Sequence, residues 1–276
     1  VSHSAHPSYA LLYFGKNETI LYTGDFRVKS FLDEEDFVKI KGGMDLFTYL
    51  RENKDLRIDT LIIEGTNIGS SRPPITPSEA TQMIRKLASN HMLIIATLHP
   101  LDVEYAYFLA KLSAELDLIS YIASEHIASF LEKFLNRHLR PMVIEEYVSY
   151  PTFLKKATLG EVEKRSIILV SYREAVDLLR DIASTEPTLL KDATAVISES
   201  EPKREEAVEY SVFSNWFLML GVQHYTIRAS GHYYPYELKS ILAKIKPQKV
   251  ISIHTEAPKL FNRTLNELRN QTLGVT

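Results

Sequence analysis

Apolar residues recur along this chain at two periods, and the switches between them lay out its elements. Short apolar runs at residues 10–14 and 19–23, separated by Gly15-Lys16-Asn17-Glu18, predict a β-hairpin. Residues 43–53 have a helical period, and 60–63 read as a buried strand ending on Glu64-Gly65-Thr66-Asn67. Residues 70–74 read as loop. Thr76-Pro77-Ser78-Glu79 then has the form of a capping box with proline at the first helical position, opening a helix to about residue 88. From there strands at 92–97, 118–123, 166–170 and 194–197 alternate with helices at 101–116, 126–136, 173–183 and 204–220. That order predicts an α/β layer with a parallel sheet of its own. The charged run at 199–206 reads as a solvated loop and helix start.

The last part of the pattern carries the chemistry. Residues 223–229 read as a strand, 235–246 as a helix with Pro235 in its first turn, and 249–253 as a short apolar strand. Taken as one βαβ unit, this stretch delivers His232 and His254 to a single sheet edge. In open α/β sheets that edge is where ligands bind. The runs at 19–23 and 60–63 also end on carboxylates, Asp25 and Glu64. The division expected is one domain from 1–70 and 223–276, interrupted by an insert at 71–222.

Composition narrows the classes. With 276 residues the chain can hold one large or two ordinary domains. No apolar run approaches a membrane span, and the first residues lack the form of a signal peptide, so no membrane partner is expected. Cysteine is absent, which excludes disulfides and thiolate ligands and fits a cytoplasmic protein. A net charge of −3 argues against wholesale coating of nucleic acid but leaves room for a local basic groove. Arg27, Arg72, Arg173 and Arg228 are the basic residues nearest the strand ends.

Collected, the polar groups at the predicted strand ends are His3, Asp25, Glu64, His232 and His254. Histidine with aspartate is a ligand set for Zn²⁺ or Mn²⁺. A bridging carboxylate flanked by imidazoles suits a two-ion hydrolytic site with ions roughly 3.5–4 Å apart. The other histidines have plainer readings. His6 is a loop residue, His99 with Asp102 and Glu104 is a helix-start cap cluster, and His91, His126 and His138 are surface residues. Tyr225, Tyr233, Tyr234 and Tyr236 crowd around His232, where one ring of the four is a candidate for stacking on a base. Trp216 with Phe213, Phe217 and Leu220 is core at helical spacing.

These residues resemble a known family. Val1-Ser2-His3-Ser4 followed by Tyr22-Thr23-Gly24-Asp25-Phe26-Arg27 looks like the third and fourth motifs of the metallo-β-lactamase fold nucleases. Leu61-Ile62-Ile63-Glu64-Gly65-Thr66-Asn67, Ala229-Ser230-Gly231-His232 and Ile253-His254-Thr255-Glu256 resemble motifs A, B and C of their β-CASP branch. The interval from His3 to Asp25 equals that from His232 to His254. Order and spacing suit the RNase J and archaeal mRNA 3′-end-processing members. The fold implied is a partial metallo-β-lactamase αββα sandwich carrying an inserted Rossmann-like β-CASP domain.

The resemblance also implies roles. His3 would ligate one zinc or manganese ion, Asp25 would bridge two, and His254 would ligate the other. His232 would act on the scissile phosphate as acid or donor, with Glu64 orienting it. Ser230 and Gly231 would hold a non-bridging phosphate oxygen. The activity implied is hydrolysis of single-stranded RNA in processing or decay. The alternatives are an inactive β-CASP paralogue serving as a structural subunit, or a metallo-hydrolase of small esters. The family's run H-x-H-x-D-H does not occur here. It is therefore expected on a preceding segment of the same gene product or on a second chain, and homo-oligomer formation is left open. Tyr233 stands where the family has a small residue.

Overall fold

The alternation at the start of the chain folds as a hairpin. Strands β1 (Leu11–Phe14) and β2 (Thr19–Tyr22) pair antiparallel, with Leu11 opposite Tyr22 and Leu12 opposite Leu21. The computed structural model describes residues 1–71, 73–135, 139–199 and 207–273. Arg72, His138, the expected helix end at 136 and the expected helix start at 204 lie outside them.

Two short helices follow the hairpin, α1 (Glu34–Lys41) and α2 (Leu46–Glu52), capped by the side chains of Asp33 and Asp45. Strand β3 (Thr60–Glu64) then pairs parallel to β2. The next segment opens with α3 (Pro77–Asn90), whose capping box forms as its sequence predicts: Thr76 Oγ1 accepts from Glu79 N at 3.2 Å, and Thr76 N donates to the Glu79 carboxylate at 2.7 Å.

The rest of the middle segment runs β4 (Leu93–Thr97), α4 (Val103–Glu115), β5 (Ile119–Ile122), α5 (Glu125–Leu131), β6 (Met142–Ile144), β7 (Lys155–Ala157), β8 (Ser166–Val170), α6 (Tyr172–Thr185), β9 (Ala193–Ile197), α7 (Ala207–Met219) and β10 (Gln223–Thr226). The chain closes with a 3-10 turn at Pro235–Glu237, α8 (Leu238–Ile245), β11 (Lys249–Ile253) and α9 (Pro258–Leu273).

These elements make two compact units, Val1–Pro74 with Ser230–Thr276, and Ile75–Ala229. In the second unit seven strands lie in the order β10-β9-β4-β8-β5-β6-β7, and every ladder is parallel. A parallel sheet needs cover on both faces, and the fully buried runs Leu93–Thr97 and Ser166–Val170 show that it has it. The protein is thus a mixed α/β fold. No helix among the described residues is long and apolar enough to cross a membrane.

One expectation fails here. Residues 223–254 are not a βαβ unit of one sheet, because β10 pairs with β9 whereas β11 pairs with β3. The unit boundary accordingly falls after Ala229, not before residue 223. An amphipathic period tells that a segment is a strand, but the choice of sheet depends on contacts distant in sequence.

The first unit holds a four-stranded sheet in the order β1-β2-β3-β11. One face, with Leu21, Leu61 and Ile63, packs on Leu238, Ile241, Phe261 and Leu265 from α8 and α9. On the other face the register aligns Leu11, Tyr22, Ile62 and Ile251 in one row across all four strands. In this chain Leu11 is 60% and Ile251 37% exposed. An apolar row on a sheet with parallel ladders is the kind of surface that is normally covered.

Candidate metal centre

Strands β2, β3 and β11 run parallel, so their carboxyl ends meet at one edge of the four-stranded sheet. Asp25 follows β2 through Gly24, whose φ is +59° and whose added Cβ would lie 2.6 Å from Tyr9 O. Both the left-handed conformation and the close approach require glycine there. Glu64 is the last residue of β3, and His254 follows β11 with φ +47°. For a residue with a Cβ that conformation costs on the order of 1 kcal/mol. It is held by Gly65 N and Thr66 Oγ1, both donating to the His254 carbonyl. His3 is brought alongside by a bridge between Ser2 and Arg27, with Arg27 N donating to Ser2 O at 2.9 Å.

The structure gathers these groups. Donor atoms of Asp25, Glu64, His232 and His254 all lie within 4.8 Å of one another. Asp25 Oδ1 is 2.8 Å from His254 Nδ1, and Glu64 Oε1 is 3.1 Å from His232 Nδ1. The His232 ring lies 5.9 Å from that of His254 and 4.9 Å from that of His3. His3, Asp25 and His254, with Pro7, Ser8, Tyr9 and Tyr22, line a depression of about 330 Å³. All five residues named from sequence are therefore at one edge, with His3 beside the tighter group of four.

Hydrogen bonds sort their chemistry. His3 Nδ1 lies 2.8 Å from Gly231 O. A carbonyl can only accept, so Nδ1 carries the proton and Nε2 keeps its lone pair. Burial holds the His3 pKa below the ordinary histidine value; the Gly231 bond opposes this, and nearby His232 reinforces it. A neutral ring with a free Nε2 is the ligating form. Glu64 is fully buried and already engaged: Oε2 accepts from Thr66 N at 2.8 Å and Oε1 from Phe26 N at 3.4 Å, besides facing His232. That makes it an anchor for His232. Asp25 and His254 are the more open pair, 31% and 58% exposed at the side chain, and their facing atoms are close enough to share one ion. Nitrogen and oxygen donors without sulfur are a donor set that a divalent cation can use.

Other placements correct the sequence reading. Tyr233 is 1% exposed and donates its hydroxyl to Glu64 O at 2.8 Å, so it cannot be a stacking platform. Arg27 is 4% exposed, with Nε donating to Ser2 Oγ at 2.9 Å and the guanidinium over the Phe31 ring, so it serves the fold rather than a ligand's phosphates. Asn67, given no role in the sequence, donates from Nδ2 to His232 O at 3.2 Å and Tyr233 O at 3.0 Å. Its position directly after Glu64-Gly65-Thr66 was the only signal. His99 behaves as a cap residue: its Nδ1 accepts from Leu101 N at 3.2 Å, while Asp102 accepts from Tyr105 N at 3.1 Å.

Gly231 offers a direct check on this packing. A Cβ built there would lie 2.7 Å from His3 Nδ1 and 2.9 Å from Ser4 N, and closer still to the Ser4 hydroxyl. Gly231→Ala is expected to destabilise by about 1–3 kcal/mol, read as a lowered midpoint in thermal unfolding. An unchanged midpoint would show that the 1–4 segment does not pack against this turn.

No family model matches the sequence, and no curated protein does. Among solved structures the chain is similar to a protein of unknown function from Enterococcus faecalis V583, with a TM-score of 0.67 and 19% identity over 94% of this chain. At that identity the likeness shows the fold alone. The chain spans 58% of the length of that structure.

Proposed function

We propose that this chain belongs to a metal-dependent ribonuclease of the β-CASP, metallo-β-lactamase fold type. The observation that carries the reading is the meeting of His3, Asp25, Glu64, His232 and His254 at the carboxyl edge of one sheet, from segments as far apart as residues 3 and 254. His3, Asp25 and His254 would hold the ions. Bound there, a divalent cation would supply the acidity that ionises water at neutral pH and the charge that offsets growing negative charge on phosphate oxygens. His232, held through Nδ1 by Glu64, would present its other nitrogen to the phosphate as donor or acid. The exposed row on the four-stranded sheet supports an incomplete sandwich whose second β-layer comes from other polypeptide. The all-parallel second unit suits the β-CASP insert.

The test is chelator-sensitive cleavage of a labelled single-stranded RNA by the intact, zinc- or manganese-loaded protein, alongside the same sequence as DNA and a panel of small thioesters and phosphoesters. Turnover confined to the small esters would replace this reading, and a metal-free, inert protein would leave the structural-subunit alternative standing. RNA binding is further expected to weaken with salt. Each phosphate contact should add about −0.7 to the log-log slope for a single strand. With Arg27 buried, Arg173 and Arg228 are the named described candidates for such contacts. A flat salt response would argue against any nucleic-acid substrate.

A further inference from the structure

Helices α6 and α7 pack on one core of the seven-stranded sheet, yet their outer faces differ in kind. Helix α6 gives that core Leu178, Leu179 and Ile182, and α7 gives it Phe213 and Phe217. Away from the core α6 is charged, with Arg180 Nη1 2.9 Å from Asp177 Oδ1. Helix α7 has no such charged face. Between Glu209 and Arg228 the sequence contains no Asp, Glu, Lys or Arg. At about 3.6 residues per turn, Val208, Ser211, Val212, Asn215, Leu218 and Met219 fall on the side away from Phe213 and Phe217, and all six are exposed. Val208 and Met219 are each 74% exposed and Leu218 is 67% exposed. A helix that is apolar on both sides is normally buried on both, and an exposed apolar stripe marks a contact surface.

We infer that the outer face of α7 is the contact between two copies of this chain, joined about a two-fold axis that passes beside Asn215. Charge selects a second copy as the occupant. An isologous contact sets a surface against itself, so any charge near the axis would meet its own like. A face without charges escapes that repulsion, and it offers nothing to pair with a charged partner. A helix lying in a lipid interface keeps a polar face in water, rich in lysine and arginine. The second face of α7 is instead in the core, and the stripe has no basic residue. Asn215 sets the register. Its carboxamide makes no hydrogen bond among the described residues. On a two-fold axis it meets its own copy, and a group carrying both donor and acceptor can satisfy itself there. A single asparagine in an apolar helix seam fixes partner number and register in this way. Antiparallel packing about that axis puts Val212 of one copy opposite Leu218 of the other. With one 13-residue helix from each side the interface is small, so the dimer should depend on concentration.

Analytical ultracentrifugation of the 276-residue chain over a wide range of concentrations tests this without reference to any activity. A monomer–dimer equilibrium is expected. Leu218→Glu and Met219→Glu, both at exposed positions, should each raise the dissociation constant about 100-fold or more by setting like charges together, with the folded circular dichroism retained. Asn215→Asp and Asn215→Lys should each be monomeric alone. An equimolar mixture of those two variants should form a heterodimer, because the unlike charges meet only where residue 215 faces residue 215. Leu11→Glu, on the exposed row of the four-stranded sheet, should leave association unchanged. A chain that stays monomeric at the highest concentration would overturn the inference, as would a dimer that survives Leu218→Glu and is dissociated by Leu11→Glu. Failure of the Asp and Lys mixture to associate would overturn the two-fold axis at Asn215.

Discussion

On the proposed ribonuclease reading, replacing His232 with alanine is expected to cost about 10²–10⁴ in the rate of RNA cleavage while sparing metal content. Replacing His254 should instead lower metal occupancy. The contrast follows from how the two rings are held. His232 is 14% exposed, and its Nδ1 is tied to a fully buried Glu64 that is itself fixed by the backbone amides of Phe26 and Thr66. A ring braced that firmly through one nitrogen presents the other in a fixed direction, as proton transfer or phosphate contact requires. His254 sits 2.8 Å from Asp25 on the more open side of the cluster, where a cation can take the place between them. Metal analysis of both variants alongside single-turnover cleavage makes the comparison. Equal loss of metal in the two would mean that His232 is a ligand, and the division of roles would have to be redrawn.

Much of this site was legible because short apolar runs end abruptly on polar residues. Leu61-Ile62-Ile63-Glu64 and Ile251-Ser252-Ile253-His254 each read as a strand that stops at a candidate group, and both strands lie in one sheet. The parallel alternation of the second unit was legible for the same reason, since β4 and β8 are continuous buried runs. What stayed hidden depends on contacts that no period encodes. Strands β6 and β7 have three residues each, too short to show alternation. Strand β10 reads as β-rich in sequence but joins the other sheet, a choice settled by its pairing with β9. Helix α9 carries Phe261 and Leu265 into the first core. Tyr233 and Arg27 look like ligand-facing residues in sequence, whereas burial makes one a brace for Glu64 and the other a partner of Ser2.

On the same reading, the 276-residue chain by itself is expected to lose any bound divalent cation on dialysis. A catalytic zinc usually has three protein ligands besides water, and a two-ion site needs several donors per ion around the shared carboxylate. The proposed ligands would give at most His3 and Asp25 to one ion, and Asp25 and His254 to the other. Glu64 cannot readily add to either, because both its oxygens are already engaged inside the fold. The Asp25–His254 pair is also open to water, at 31% and 58% exposure, so a competing hydration shell or chelator reaches the ion easily. Tight binding would need donors from other polypeptide, the part that a run H-x-H-x-D-H plays in the proposed reading. The same polypeptide would cover the row of Leu11, Tyr22, Ile62 and Ile251. Supplying it should therefore raise metal retention and thermal stability together. Inductively coupled plasma analysis of the dialysed chain, alone and with a polypeptide that carries an H-x-H-x-D-H run, makes the measurement. Two firmly retained ions on the 276 residues alone would sink the incomplete-site reading and require His232 or Glu64 to be ligands after all.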